Sequence, residues 1–321
     1  MKILHIKNSQ DIDKKKFYNF LNNRISNIDH ELIIFDKQLG DQNFIITEAE
    51  NLEAIVPVNF ELDNNNELRG SLFGMSIPGP IFAENLGIKK FKNNFILCIE
   101  EIDKKCLQNR VRHISINFTD TIKMNTSSQE YMTMLEILTR YKFLNKCFIA
   151  SRLNLNQTID EIISNCSKGH KSEIKKQFNI NYIFETYQDN KLEYDEFSKL
   201  IGSNAIKGYD VFLYNLYLEK KIYMTYEITN NRSFCAIFSI AGETAEYLID
   251  TASSSNHHSL IISAVNFFKS FGKFKYLNLG VINYLENFKL QNNSKKKNIS
   301  LFKKGFGGEK YLFSIFGKNY F

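Results

Sequence analysis

Three features in the last third of the chain have residue types and spacings that can do chemistry. The first is a lysine within Leu301-Phe302-Lys303-Lys304-Gly305-Phe306-Gly307-Gly308. A cation held beside aromatic residues can stabilise an oxyanion as charge builds on it, or neutralise a phosphate as a point charge. Lys303 is therefore the leading catalytic candidate, held on a flexible but enclosed loop, with Phe302 beside it. Gly307 and Gly308 can take positive φ or let a ligand approach closely. Lys304 is expected to face solvent. The second feature is Asp250, which ends the apolar run 245–249. A carboxylate at a strand end can orient or deprotonate an amine, and it can equally cap the turn. The third is the pair His257-His258 at a helix start. A helix N-terminus disfavours imidazolium, so a neutral ring able to accept a proton is expected there. Adjacent helix residues diverge by about 100°, so at most one ring faces a given cleft. His258 is taken as the catalytic candidate and His257 as a substrate-binding one, against the plainer reading of both as surface or capping residues.

A fourth candidate is spread along a helix. In the stretch from Ser167 to Lys176, the residues Lys168, Lys171 and Lys175 fall at i, i+3 and i+7 and share one face. Like charges so placed repel unless an anion sits among them. The face is either solvated or a phosphate or RNA site, and the three lysines enter the substrate-binding set.

Local signals outline the elements that must position these residues. Apolar spacing predicts a helix over 257–271, with capping oxygens at 253–256 and a stop at Gly272. A buried strand comes next at 276–281, then a polar basic loop at 287–297, and a last strand at 310–316. Upstream, strands are expected at 3–6, 44–47, 54–60, 68–73, 114–118, 146–155, 182–186, 222–229 and 234–241. A polar turn at 63–66 joins two of them. Helices are expected at 88–107, 127–141, 159–178, 189–200 and 210–218. Apolar residues at helical spacing also occur at 17–21, and 28–39 is ambiguous between helix and strand. Ser76-Ile77-Pro78-Gly79-Pro80 reads as a rigid turn. The strand–helix order of the first half returns in outline in the second. The expected division is therefore into domains 1–145 and 146–321, with no flexible linker between them.

The Phe-Lys-x-x-Phe-Gly-Gly pattern at 302–308, preceded by a helix after a His-containing turn and by Tyr276-Leu277-Asn278-Leu279-Gly280, resembles the C-terminal part of the Fem-type acyltransferases of the GNAT superfamily. The resemblance implies an α/β (α+β) fold of two tandem GNAT-like domains, each a mixed, largely antiparallel sheet flanked by helices. It implies that Lys303 lies in an active site, and that the basic helix start around Lys171, Ile174, Lys175 and Lys176 belongs to it. It also implies that Pro78 and Gly79 face an acceptor cleft. Many Fem-type chains carry an acidic residue where this one has Asn278, so Asn278 is taken as substrate-binding and the general base is left open.

The remaining composition narrows the classes. The chain has 321 residues, 43% of them hydrophobic, and a net charge of +6. That fits an anionic small substrate and also permits RNA binding. Cys98, Cys106, Cys147, Cys166 and Cys235 are scattered, with neither metal-ligand spacing nor an even count, and read as buried small hydrophobes. The N-terminus has no signal-peptide core and no stretch is long and apolar enough to span a bilayer, so a cytoplasmic protein is expected. The expected activity is acyl or aminoacyl transfer onto an amine of a nucleotide- or lipid-linked cell-envelope precursor, by direct attack. No cofactor or metal is expected to be held permanently. The donor is aminoacyl-tRNA, which would make tRNA a partner, or acyl-CoA, as in an N-acetyltransferase acting on an amino sugar. Peripheral membrane contact is open, DNA is not an expected partner, and a non-catalytic RNA-binding protein is the competing class.

Overall fold

The structure is a computed structural model. It describes residues 1–5, 20, 42–49, 51–63, 65–72, 75–84, 86–118, 129–146, 148–201, 209–227, 235–250, 257–282 and 294–321, with side chains for all but 5 and 294–297. The first half runs β1 (Lys2–His5), β2 (Phe44–Glu48), β3 (Asn51–Val56), β4 (Phe60–Leu62), β5 (Leu68–Gly70), β6 (Ile77–Pro78), β7 (Ile81–Phe82), α1 (Ile88–Gln108), β8 (His113–Asn117), α2 (Gln129–Arg140) and β9 (Leu144–Asn145). The second runs β10 (Phe148–Asn154), α3 (Ile159–Asn165), α4 (Lys168–Lys176), β11 (Tyr182–Glu185), α5 (Tyr194–Ile201), α6 (Tyr209–Leu218), β12 (Ile222–Glu227), β13 (Cys235–Ala241), β14 (Thr244–Asp250), α7 (His257–Ser270), β15 (Tyr276–Val281), α8 (Ser294–Gly305), β16 (Glu309–Phe313) and β17 (Ile315–Asn319).

Contacts divide the chain into two units, 1–148 with 312–321, and 149–311. The first holds the antiparallel sheet β1-β2-β3-β7 and a second sheet ordered β4-β5-β8-β17-β9, with β6 also on β8. Its core forms because α1 places Phe91, Phe95, Cys98, Ile99, Ile102 and Cys106 at helical spacing on one buried stripe. That stripe packs with Tyr131, Met134, Ile137 and Leu138 of α2. Each such side chain contributes about 1.5–3 kcal/mol by leaving water.

The second unit is one seven-stranded sheet, β11-β12-β13-β14-β15-β10-β16. The chain leaves β14, forms α7, and returns as β15 parallel to β14, the usual crossover for a parallel pair. Leu260, Ile261, Ala264, Val265 and Phe268 of α7 pack with Phe238, Leu277 and Leu279 of the sheet.

Several expectations change. The helix expected over 159–178 is two helices. Thr158 and Glu161 form a capping box at the start of α3, Cys166 is extended, and Ser167 accepts the His170 N–H to start α4. The basic loop expected up to 297 gives way to α8, so Phe302, Lys303 and Lys304 sit in a helix rather than in a loop. The last strand is two strands in different sheets: β17 pairs with β8 and β9. The final ten residues therefore join the first unit, and the expected domain 146–321 ends short of the C-terminus. The strand expected over 54–60 divides in the same way into β3 and β4. Pro78 is in a strand, and Gly79 N–H donates to Asn117 O at 2.7 Å, so both are buried structure of the first unit rather than an open loop. The 17–21 pattern, except Phe20, the 28–39 segment, the 253–256 capping oxygens and Cys147 lie outside the described residues.

Candidate active site

β14 and β15 pair for three residues only, Thr244 with Tyr276, Ala245 with Leu277 and Glu246 with Asn278. Beyond that point the two strands part. β14 stays on β13 with a bulge at Leu248, and β15 stays on β10 with a bulge at Leu279. Each bulge sets one extra residue opposite a single partner and re-aims the side chains beyond it. The carboxyl ends of parallel strands are where α/β sheets place ligands. Here those ends carry Asp250 and Gly280, and α7 starts beside them with His257 and His258.

The bulge explains a contact that regular alternation would forbid. Residues three apart on a strand face opposite sides, yet Tyr247 OH donates a hydrogen bond to Asp250 Oδ2. The same oxygen lies 3.1 Å from His257 Nδ1. Asp250 is thus fixed by a phenol and an imidazole. Burial and the neighbouring carboxylate push the Tyr247 hydroxyl well above its ordinary range, so it stays a donor.

Lys303 reaches this place from α8. Gly280 makes room for it: a Cβ there would lie 3.0 Å from Lys303 Nζ, and Gly280 holds φ +81°. Burial lowers the Lys303 pKa to about 8, against the opposing pull of Glu246 and Asp250. The residue as a whole is half-buried, so the desolvation belongs to the ammonium end. Among the described residues that ammonium has no hydrogen-bond or ion-pair partner; the two carboxylates act on it through space.

α8 is held in position by histidine and glycine chemistry. His170 Nε2–H donates to Phe302 O at 2.8 Å, and a carbonyl can only accept, which fixes the tautomer. Nδ1 is then free to accept from Ser167 Oγ at 3.1 Å. A Cβ on Gly305 would lie 2.0 Å from His170 Cε1, so only glycine lets the imidazole lie against the helix. Ser167 N–H donates to Gly305 O at 2.7 Å. Gly307, at φ +64°, approaches Asn165 O, and Gly308 approaches the Arg152 carbonyl. These last two glycines admit the chain's own backbone, which is where the expected close approach of a ligand finds its explanation.

His258 lies in an aromatic box, its ring 4.3 Å from His170, 5.1 Å from Phe302 and 5.9 Å from Phe306, centroid to centroid. Burial brings its pKa to about 4, with the His170 charge next in weight, so the ring is neutral at pH 7 and a weak base. Its Nδ1 is buried without a hydrogen-bond partner. On α4 the inward stripe is His170, Ile174 and Gln177; Lys168 and Lys175 are exposed and Lys171 is half-buried. Asn278 is half-buried beside Glu246. The second unit thus brings Lys303, Asp250, His257, Phe302 and His258 into one connected region, with the α4 lysines on its outer side and Pro78 and Gly79 in the other unit.

Sequence reasoning missed Glu246, Tyr247, Gly280, Gly305 and His170. One signal was available for Glu246, a charged residue inside an otherwise apolar run. Cys98, Cys106, Cys166 and Cys235 are free and buried. Burial pushes the Cys106 thiol to about 12 and the Cys166 thiol to about 11, so neither is an activated nucleophile. Among the described residues no three His, Cys, Asp or Glu side chains converge as metal ligands, and no helix is long and apolar enough to cross a membrane.

The fold recurs in solved proteins. FemX superposes with a TM-score of 0.60 over 100% of this chain and 98% of its own, at 11% identity. The C-terminal domain of a putative lysylphosphatidylglycerol synthetase from Agrobacterium fabrum gives 0.57 over 97% and 92%, at 9% identity. A tandem GNAT protein from the clavulanic acid biosynthesis pathway gives 0.57 over 99% and 98%, at 7% identity. No family model matches the sequence, and no curated protein matches it. At these identities the likeness establishes the fold, a Fem-type tandem pair of GNAT-like domains with mixed, largely antiparallel sheets.

Proposed function

We propose that this protein is an acyl- or aminoacyltransferase that forms an amide on an amine of a nucleotide- or lipid-linked cell-envelope precursor. The observation that carries the reading is the unpartnered, desolvated ammonium of Lys303, set where β14 and β15 part and faced by two carboxylates. A charge so placed is costly to the fold unless a ligand meets it. With a pKa of about 8 it is mostly protonated at neutral pH. Its role is to stabilise the carbonyl oxygen as negative charge develops, or to hold an acceptor phosphate.

Asp250, held by Tyr247 and His257, is the group that orients the acceptor ammonium and takes its proton. Glu246 stands on the neighbouring strand position to Asn278 and supplies the carboxylate that Asn278 does not. The amine attacks the acyl carbonyl directly. A C–N bond forms, the ester or thioester bond to the donor breaks, and the amine proton passes to the carboxylate and from it to the departing oxygen or sulfur. The high thiol pKa values support a route with no covalent enzyme intermediate. His258, neutral and enclosed, is a positioning residue that holds Phe302 and with it Lys303. The same arrangement serves aminoacyl-tRNA or acyl-CoA as donor.

The test is amide formation with each donor and a panel of nucleotide-linked amino sugars and peptides, comparing the wild type with Lys303→Ala. Product from the wild type with one donor class, and its loss in the variant, is expected. An unimpaired Lys303→Ala enzyme overturns the reading.

A further inference from the structure

The second sheet has a polar face on the side away from α7, and strand register builds it. Glu246 of β14 pairs with Asn278 of β15, and Asn278 pairs with Arg152 of β10. Residues directly across a sheet point to the same side, so these three side chains share one face. The other row on that face is Thr244, Tyr276 and Asn154. All six residues are half-buried. The row between them, Ala245, Leu277 and Leu153, points the other way into the core with α7 and is 0%, 0% and 2% exposed. Glu246, at one end of the first row, is the carboxylate that pulls most strongly on Lys303.

Arg152 stands at the other end of that row. Its guanidinium carbon lies 3.7 Å from the centroid of the Tyr276 ring and 5.5 Å from that of Tyr311. Its Nε–H donates to Glu309 Oε2 at 3.3 Å, and Asn154 Nδ2–H donates to the other oxygen of that carboxylate at 3.0 Å. These contacts put Arg152, Asn154, Tyr276, Tyr311 and Glu309 on one surface. An arginine that served only to pair Glu309 would turn its fork to that carboxylate. Arg152 meets Glu309 through Nε alone. Its remaining N–H groups, on Nη1 and Nη2, have no hydrogen-bond partner among the described residues, and the side chain is 33% exposed. Stacking on Tyr276 therefore fixes the plane of the guanidinium and leaves its fork unused. The neighbouring Asn278 amide has no hydrogen-bond partner among the described residues either.

We infer that Arg152 binds a carboxylate of the acceptor, a peptide whose carboxylate meets the Arg152 fork while its amine reaches Glu246 and Asp250. The inference rests on the proposed amide-forming reaction for the fate of the amine. A planar fork matches a planar carboxylate with two parallel hydrogen bonds. Charge selects the same ligand. Arg152 is the one cation among the six positions of the two rows, and Glu309 already offsets it. A single negative charge suits such a place better than a phosphate monoester, which carries nearly two. Asn278, between the two ends, can donate to and accept from a peptide group. The backbones of Arg152 and Glu246 are two strand spacings apart, about 10 Å, which is about three extended residues.

The test is equilibrium binding, by titration calorimetry, of peptides of three and four alanines, each as the free acid and as the C-terminal amide. The wild type is expected to bind the acids about tenfold tighter than the amides. Arg152→Gln should bring that ratio close to one, and Arg152→Lys should keep about threefold, since an ammonium does not replace the fork. Both should melt like the wild type, because the ion pair lost is exposed. Equal binding of acids and amides by the wild type, no binding of either, or an unchanged ratio in folded Arg152→Gln each overturns the inference. So does a preference that is lost in Lys303→Ala and kept in Arg152→Gln, which would put the carboxylate at Lys303. An acid preference in a protein that forms no amide with any donor overturns the reaction and leaves the carboxylate site standing. Amide formation that is equally fast from acids and amides does the reverse.

Discussion

Lys318 in the first unit and Lys303 in the second are both drawn away from water, yet their surroundings differ. Lys318 Nζ lies 2.5 Å from Asp103 Oδ2, with side chains 15% and 17% exposed. Tyr320 OH donates to the other oxygen of Asp103 at 2.5 Å, and the Lys318 ammonium also lies over the Tyr320 ring. Every charge there has a partner inside the protein. Lys303 has two carboxylates nearby but none in contact, and burial lowers its pKa to about 8 against their opposing pull. A completed cluster of this kind anchors the C-terminal strand. An incomplete one costs stability and keeps a charge ready for something that arrives. The comparison separates a lysine that holds structure from one proposed to do chemistry, although both are partly desolvated lysines near an aspartate.

Activity should break the symmetry most strongly. Lys303→Ala is expected to lower kcat by about 10²–10³-fold, as for removal of one oxyanion donor. Lys303→Arg should not restore it, since a planar fork does not replace a compact ammonium. Stability should break it the other way. Lys318→Ala leaves Asp103 without its counter-charge and should cost about 2–4 kcal/mol in denaturant unfolding, with turnover per folded molecule unchanged. Lys303→Met removes an unpartnered charge and should be neutral or stabilising by about 1 kcal/mol. A Lys303→Met protein that unfolds as readily as Lys318→Ala would erase the distinction.

The glycines around α8 give the next effect. Gly305→Ala must displace His170 and Gly307→Ala must displace backbone at Asn165 from a positive-φ position. Each should cost about 1–3 kcal/mol, read as a fall in melting temperature. Loss of activity in Gly305→Ala without loss of stability would show that His170 acts through position alone.

The pH dependence sharpens the comparison further. The folded-state pKa of Lys303, about 8, lies below the ordinary lysine value of 10.5. Between these values the unfolded chain binds more protons than the folded one, so this lysine makes stability rise as pH rises through the window. Its contribution is fully present above the upper value and lost as pH falls through the lower. Lys303→Met should flatten that rise in unfolding measured from neutral to alkaline pH, and wild-type turnover should decline above pH 8 as the cation is lost. Lys304→Ala is the smallest change, expected to stay within about 0.5 kcal/mol in stability and to leave turnover nearly unchanged.

Local signals were enough for much of the fold. The run of apolar residues in 88–107 predicted α1 almost to the residue, because a six-residue buried stripe needs only helical spacing. The strand at 276–281 and the helix starting at 257 were equally legible. The Phe-Lys-x-x-Phe-Gly-Gly pattern pointed to the lysine that the structure leaves without a partner. Elements that owe their state to distant partners were not legible. The 294–305 segment is polar enough to read as a loop until Phe302 and Phe306 meet His170 and His258. The last strand reads as one until β8 claims its second half.

Which chemical groups the chain possesses was thus a property of the sequence, and so were the helices and strands whose burial is set by their own periodicity. Which groups meet was decided by register. The bulge at Leu248 turns Tyr247 and Asp250 to the same side, and the short pairing of β14 with β15 sets Glu246 beside Asn278. Gly280 makes room for an ammonium that comes from more than twenty residues further on. A bulge leaves almost no trace in residue types, because it depends on how two strands far apart in the chain fall out of step. The desolvation that lowers the Lys303 pKa likewise exists only once α8, β14 and β15 have packed.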